Sequence, residues 1–156
     1  MADTNIGGKF YVAVDGSGDV EVHNSDLNQA GYEALTWLEV KSVGSIGETG
    51  STTNIVNYDT WDTTVTQKGA GITNAGDPEV EVAYIATDPG QVQMRVAGSD
   101  ANRSNNFAFK ITRLNGSIYY ERGLVAGVRH PNDGPEDFQR EVYALALNQL
   151  EIVVNP

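Results

Sequence analysis

At 156 residues, with 21 acidic against 10 basic side chains and a formal net charge of -11, the chain is long enough for one domain with its own core. It is too acidic to grip nucleic acid through its phosphates, although not to let nucleic acid pass. No cysteine is present, which excludes disulfides and thiolate metal sites, and no run approaches the roughly 18 apolar residues of a membrane span.

Residues 1 to 8 lack the basic start and apolar run of a secretory signal, so a single soluble domain over 1–156 is expected. Phe10 to Val14 is a short apolar run ending at Asp15-Gly16-Ser17-Gly18-Asp19, and Val20 and Val22 resume the alternation, which predicts an N-terminal hairpin. Asn24 to Gly31 is a polar connection in which Asp26 could cap a helical turn. Leu35 to Val43 has apolar side chains on both parities, the pattern of a strand covered on both faces. Gly44, Gly47 and Gly50 then predict a mobile loop over about 44–57. Such a loop could be a phosphate cradle, but the Lys-Ser/Thr that completes a P-loop is missing.

Thr63 to Gln67 is rich in β-branched residues, and Val80, Val82 and Tyr84 alternate with Glu79, Glu81 and Ala83; with Gly69, Gly71 and Gly76 between them, the two runs predict a hairpin with a long link. Asp88 and Pro89 are an N-cap and first-position pair, Gly98 is a stop, and a helix over about 88–98 follows, with Val92 and Val96 expected against a sheet. Phe107, Phe109 and Ile111 alternate into Asn115-Gly116, and Ile118 to Val128 completes the strongest hairpin signal in the chain. Arg129 to Pro135 breaks the pattern, Glu136 to Asn148 is another long strand, and Glu151 to Val154 is a short closing one. The sum is a mainly β fold: a β-sandwich or flattened barrel of seven to eight mostly antiparallel strands with one flanking α-helix.

Catalytic and metal patterns are thin. His23 and His130 lie in separate loops with no second histidine or cysteine nearby, and a solvated loop histidine is the plainer account of each. Asp59 and Asp62 flank Trp61 like a carboxylate pair beside a sugar platform, yet three positions apart on an extended segment they would face opposite ways. Asp100-Ala-Asn102-Arg-Ser104 has the alternate oxygens of a calcium loop without its glycine and glutamate, and Gly69-Ala-Gly71 lacks the strand, helix and third glycine of a dinucleotide site. No catalytic residue, metal or cofactor is assigned.

One longer pattern stands out. Tyr58-Asp59-x-Trp61-Asp62, Gly69-Ala-Gly71 and Ala75-Gly76-Asp77-Pro78 are followed by an acidic-apolar strand, then by Asp88-Pro89-Gly90-Gln91, Ala108-Phe109-Lys110-Ile111, Asn115-Gly116, Tyr120 and Gly123-Leu124-Val125-Ala126-Gly127. This order, over about two thirds of the chain, resembles the major tail tube proteins of long, non-contractile-tailed bacteriophages, the lambda-like siphovirus family. The resemblance implies a non-enzymatic virion subunit, made in the host bacterial cytoplasm, that stacks as hexameric rings whose subunits share one inner β-barrel. The tube would enclose the tape-measure protein, meet terminator and tail-tip proteins at its ends, and conduct double-stranded DNA without binding it.

On that resemblance Ile46, Glu48, Ile55, Tyr58, Trp61, Arg129 and Asp137 are candidate contacts between subunits or rings, and Asp62, Glu79, Glu81 and Glu141 are candidates for an acidic, DNA-repelling bore. Some relatives carry an extra C-terminal immunoglobulin-like domain, and none is expected here. The alternatives are a carbohydrate-binding β-sandwich using Trp37 and Trp61, which would be a stable monomer, and a small hydrolase using the acidic pairs, which would need a pocket with carboxylates at catalytic spacing.

Overall fold

The computed structural model describes residues 2–156. It is mainly β, as expected, with ten strands rather than seven or eight: β1 Lys9–Val14, β2 Thr36–Val40, β3 Val43–Ile46, β4 Thr52–Tyr58, β5 Gln67–Asn74, β6 Glu79–Ala83, β7 Phe107–Thr112, β8 Ile118–Arg129, β9 Arg140–Leu147 and β10 Ile152–Val154. Two α-helices, α1 Gln29–Glu33 and α2 Pro89–Ala97, and a 3₁₀ turn at Asp100–Asn102 complete it. Among the described residues no helix is long and apolar enough to cross a membrane.

Eight strands form one antiparallel sheet, in the order β2-β1-β7-β8-β9-β6-β3 with β10 beside β8, while β4 and β5 pair only with each other. Laid flat, seven strands at about 4.8 Å spacing would hold β2 and β3 some 29 Å apart. Only Lys41 and Ser42 join these two strands, a reach of at most about 11 Å. The sheet must therefore curl into a flattened barrel with an unpaired seam. Ser42, at the crossing, has φ 61°, the left-handed region that a non-glycine residue adopts under constraint.

α2 closes the seam. Asp88 accepts from its own helix at Gln91 N and from Lys41 N at the end of β2, at 3.0 and 3.2 Å. Fully buried Gln91 donates to the Lys41 and Ala83 carbonyls and accepts from Ile85 N, so one side chain ties the two ends of the sheet together. Gly90 rests on β2, and a Cβ there would sit 2.2 Å from the Glu39 carbonyl oxygen. This docking decides which face of the helix is buried. Gln91, Met94 and Ala97 point inward, and Val92 and Val96, expected against the sheet, are 36 % and 43 % exposed.

The main core lies inside the curl, around Phe10, Phe107, Phe109, Met94, Tyr143 and Leu145. A second apolar layer covers the other face of β1, β7 and the first half of β8, where Tyr120 stacks on both Tyr32 of α1 and Trp37 of β2. The turn at Arg113 to Ser117 and the hairpin it joins are as expected.

Other expectations are corrected. Val20 and Val22 make only isolated bridges, because β1 is already flanked by β2 and β7. The segment 44–57, expected to be a mobile loop, contains most of β3 and nearly all of β4. The glycine-rich link is itself strand β5, pairing back on β4, and the reversal falls at 59 to 66, which includes most of the expected strand Thr63 to Gln67. Glycine breaks strands by entropy but does not forbid extended backbone, and a two-stranded ribbon with little to pack tolerates it. α1 is capped by Asn28 rather than Asp26.

Candidate assembly surfaces

The β4–β5 ribbon has no layer on either face. It is aligned by pairs such as Val56 opposite Gly69 and Thr53 opposite Thr73, whose hydroxyls are 2.8 Å apart. Every residue of β5 is exposed, and in β4 only Thr53 is half-buried. Ile55, Val56, Tyr58 and Ile72 on the strands, and Trp61 and Val65 in the turn, all present large apolar surfaces to water, Trp61 completely so. An isolated two-stranded hairpin is marginally stable at best, and both of its outer edges carry unsatisfied backbone donors and acceptors.

The sequence-derived contact residues fall into three places. Ile55, Tyr58 and Trp61 are together on the ribbon. Ile46 and Glu48 precede it and line a groove of about 480 Å³ with Val43, Ile111 and Arg113. Ile46 is half-buried against the main core, so only part of it is available for contact. Arg129 ends β8, where it is ion-paired with Glu79, and Asp137 lies in the next loop, its Oδ2 accepting from Gly134 N at 2.9 Å.

The acidic candidates separate as well. Glu79 and Glu81 lie on the outer face of β6, beside Ala144 and Val142 of β9, on a part of the sheet with no helix over it. Each is matched by an arginine: Glu79 by Arg129, and Glu81 by Arg140, which also pairs with Asp133. Asp133 and Glu81 together hold the Arg140 proton above its usual range. Asp62 is not on the sheet but in the ribbon turn, where it is exposed.

Glu141 does not face a bore, because it is fully buried. It accepts from Arg95 Nε at 2.9 and 3.0 Å and from the Tyr143 hydroxyl, and its other partner is His130 Nε2 at 2.7 Å. Burial and the Glu141 charge push the Tyr143 phenol up, opposing its ionisation. The signal was present in β9: Glu141 shares its parity with Tyr143, Leu145 and Leu147, the inward set. A carboxylate on the apolar parity of a strand is a buried ion-pair partner before it is a surface charge.

His130 is therefore hydrogen-bonded to the buried partner of Arg95, although its side chain is still 55 % exposed. His23 is not a solvated loop residue: its side chain is 11 % exposed, and burial lowers its pKa against the smaller opposing effect of Glu21. No group of three or more His, Cys, Asp or Glu among the described residues is placed to hold a metal.

No protein-family model matches the chain, and no curated protein matches it in sequence. Solved structures do match its fold. The sheath/tube terminator of the PVC extracellular contractile injection system, in its extended state, aligns with a TM-score of 0.69 at 7 % identity, over 99 % of this chain and 97 % of that one. The SPP1 tail tube aligns with a TM-score of 0.62 at 12 % identity, over 96 % and 77 %. A chain from the tail of an empty GTA particle gives 0.58 at 9 % identity, over 91 % and 99 %. The curled antiparallel sheet with its flanking helix is thus a fold that this chain shares with tail-tube and tube-terminator proteins.

Proposed function

We propose that this protein is a non-enzymatic structural subunit of a phage tail, one that self-associates into the tube through which the genome travels. The observation that carries the reading is the β4–β5 ribbon, which exposes six large apolar side chains and two free edges and buries nothing of its own. Moving each such side chain out of water stabilises by about 1.5–3 kcal/mol, a gross gain on the order of 10 kcal/mol for one ribbon. That is comparable with the roughly 4–15 kcal/mol cost of association, so a ribbon docked on a second copy is a workable driving force. A ribbon from one copy seated on a different patch of the next is a heterologous contact, which propagates into rings or filaments. The shared fold with tail-tube and terminator proteins supports the same reading.

In finer detail, the subunits form stacked hexameric rings of the siphovirus type, a single domain per subunit, with the outer face of β6, β9 and the second half of β8 turned to the bore. Tape measure, terminator and tail-tip proteins are then the partners, and double-stranded DNA passes without specific binding. On that face Glu79 and Glu81 supply the acidic charge, moderated by Arg129 and Arg140. Electron microscopy of concentrated protein, alone and with a tail-initiating complex, tests this. Regular tubes with a central channel are expected. Monodisperse single copies under both conditions would overturn it, and saturable binding on a glycan array would favour the carbohydrate-binding alternative.

A further inference from the structure

The hydrogen-bond ladder along one side of β8 is interrupted between β9 and β10. β9 pairs with the second half of β8 from Gly123 onward, and β10 pairs with Ile118, Tyr119 and Tyr120. Glu121 and Arg122 therefore lie opposite the connecting residues 148 to 151. Arg122 turns outward, its guanidinium bonded to Asp26 at 2.6 Å, to Gln149 at 3.0 Å and to the His23 and Asn148 carbonyls. Glu121 turns the other way, on the face of its β7 partner Phe109, which belongs to the main core. Carrying the β10 register on by one residue sets Glu151 opposite Glu121.

Glu121 is fully buried, and no protein donor reaches either of its oxygens; one oxygen of Glu151 is buried in the same condition. Two facing carboxylates have no donor between them, whereas one proton lets the first donate to the second. Burial, and then the Glu151 carboxylate as hydrogen-bond acceptor and as charge, push the Glu121 carboxyl up to about 9. The other groups near this pair are Tyr32 of α1, whose hydroxyl is buried without a partner and which senses the Glu121 charge, and the neutral Phe109 from β7. The nearby cation, Arg122, is committed to Asp26 and Gln149.

We propose that the Glu121–Glu151 pair, joined through a single proton, is a latch that fastens β10 to β8, and that loss of this proton frees β10 and uncovers the β8 edge at Ile118–Tyr120. Topology decides which partner moves. Glu121 is held in a central strand that pairs β7 along one side, whereas Glu151 is half-exposed and leads into a strand of three residues whose only neighbour is β8. Once both carboxyls are charged, the proton having left for solvent, the repulsion in the core is relieved by swinging Glu151 out to water, and β10 goes with it. Ile152 and Val154 then leave the outer apolar layer around Tyr120 and Trp37.

The test is NMR on the full chain between pH 6 and 10.5, following the Glu121 carboxyl carbon and the amides of β7 and β10. The carboxyl is expected to titrate near pH 9, and hydrogen-exchange protection of Ile152–Val154, corrected for base catalysis, to fall at least tenfold with the same midpoint while β7 stays protected. Glu121→Gln, whose amide donates to Glu151 at any pH, is expected to keep β10 protected at pH 10.5. A Glu121 carboxyl already ionised at pH 7, β10 protection unchanged across the titration, β7 and β10 opening together, or a Glu121→Gln variant that loosens with the wild-type midpoint would each overturn the latch. The measurement is made on the monomer, so its outcome is separate from that of tube assembly.

Discussion

The β4–β5 ribbon and the β7–β8–β9 centre of the sheet are both antiparallel pairings that carry large β-branched and aromatic side chains, although β5 is glycine-rich. In the centre, Phe107, Phe109, Tyr143, Leu145 and Leu147 are buried within the curl. In the ribbon, Ile55, Tyr58, Trp61 and Ile72 all remain 60 % or more exposed. β5 has the weaker strand propensity, but the larger difference is one of layers: a strand is stabilised by what lies on its faces. α2 and the curl supply a layer for the centre, and the chain supplies none for the ribbon. The centre is thus the part that folds the chain, and the ribbon the part that the proposed assembly would cover.

Substitutions can break this comparison at either end. The largest effect expected is on assembly: Trp61→Ala combined with Ile72→Asp should abolish tubes in electron micrographs while leaving the thermal midpoint of the monomer within about 1–2 °C, because neither side chain is buried in the monomer. A large fall in the midpoint would mean that the ribbon is part of the fold after all.

Next comes the centre. Phe109→Ala should destabilise the monomer by about 3–5 kcal/mol in denaturant titrations, through lost burial and the cavity left behind, against less than about 0.5 kcal/mol for Ile55→Ala in the ribbon. Equal values would erase the distinction.

The seam sharpens it further. Gln91→Leu removes the partner of the part-buried Lys41 and Ala83 carbonyls and Ile85 amide, at a cost of up to about 1–3 kcal/mol for each that water does not reach. Met94→Ala should cost about 2–5 kcal/mol, and Val92→Ala, two residues away on the outer face, about 0.5 or less. If Val92 proved the more costly, the helix would be docked by its other face.

The smallest effect is on pH dependence. His23 has its pKa lowered in the folded chain, so the unfolded chain takes up the proton first. The stability from keeping the ring neutral is present above about pH 6.5 and is lost as the pH falls toward the folded value. A His23→Gln variant should therefore lose less of its thermal midpoint between pH 7.5 and 5.5 than the wild type. Identical slopes for His23→Gln and wild type would show that the ring does not titrate differently on folding.

What the chain dictated alone are the features set by local chemistry. The Asn115-Gly116 hairpin needs only a turn that matches strand twist, the Asp88-Pro89 start of α2 only a cap and a fixed φ, and the mainly β class only the alternation of apolar residues. The tertiary structure decided what depends on partners distant in sequence. Gly90 lying on β2 and Gln91 bridging the seam turned Val92 and Val96 outward, against the reading of their i, i+4 spacing. Inward parity on β9, joined to Arg95 from α2, made Glu141 a buried ion-pair residue rather than a bore charge. The break between β9 and β10 set Glu121 against Glu151, residues that no spacing rule connects. Periodicity tells a strand that it has two faces; only the arrival of other elements settles which is covered, and for the β4–β5 ribbon none arrives.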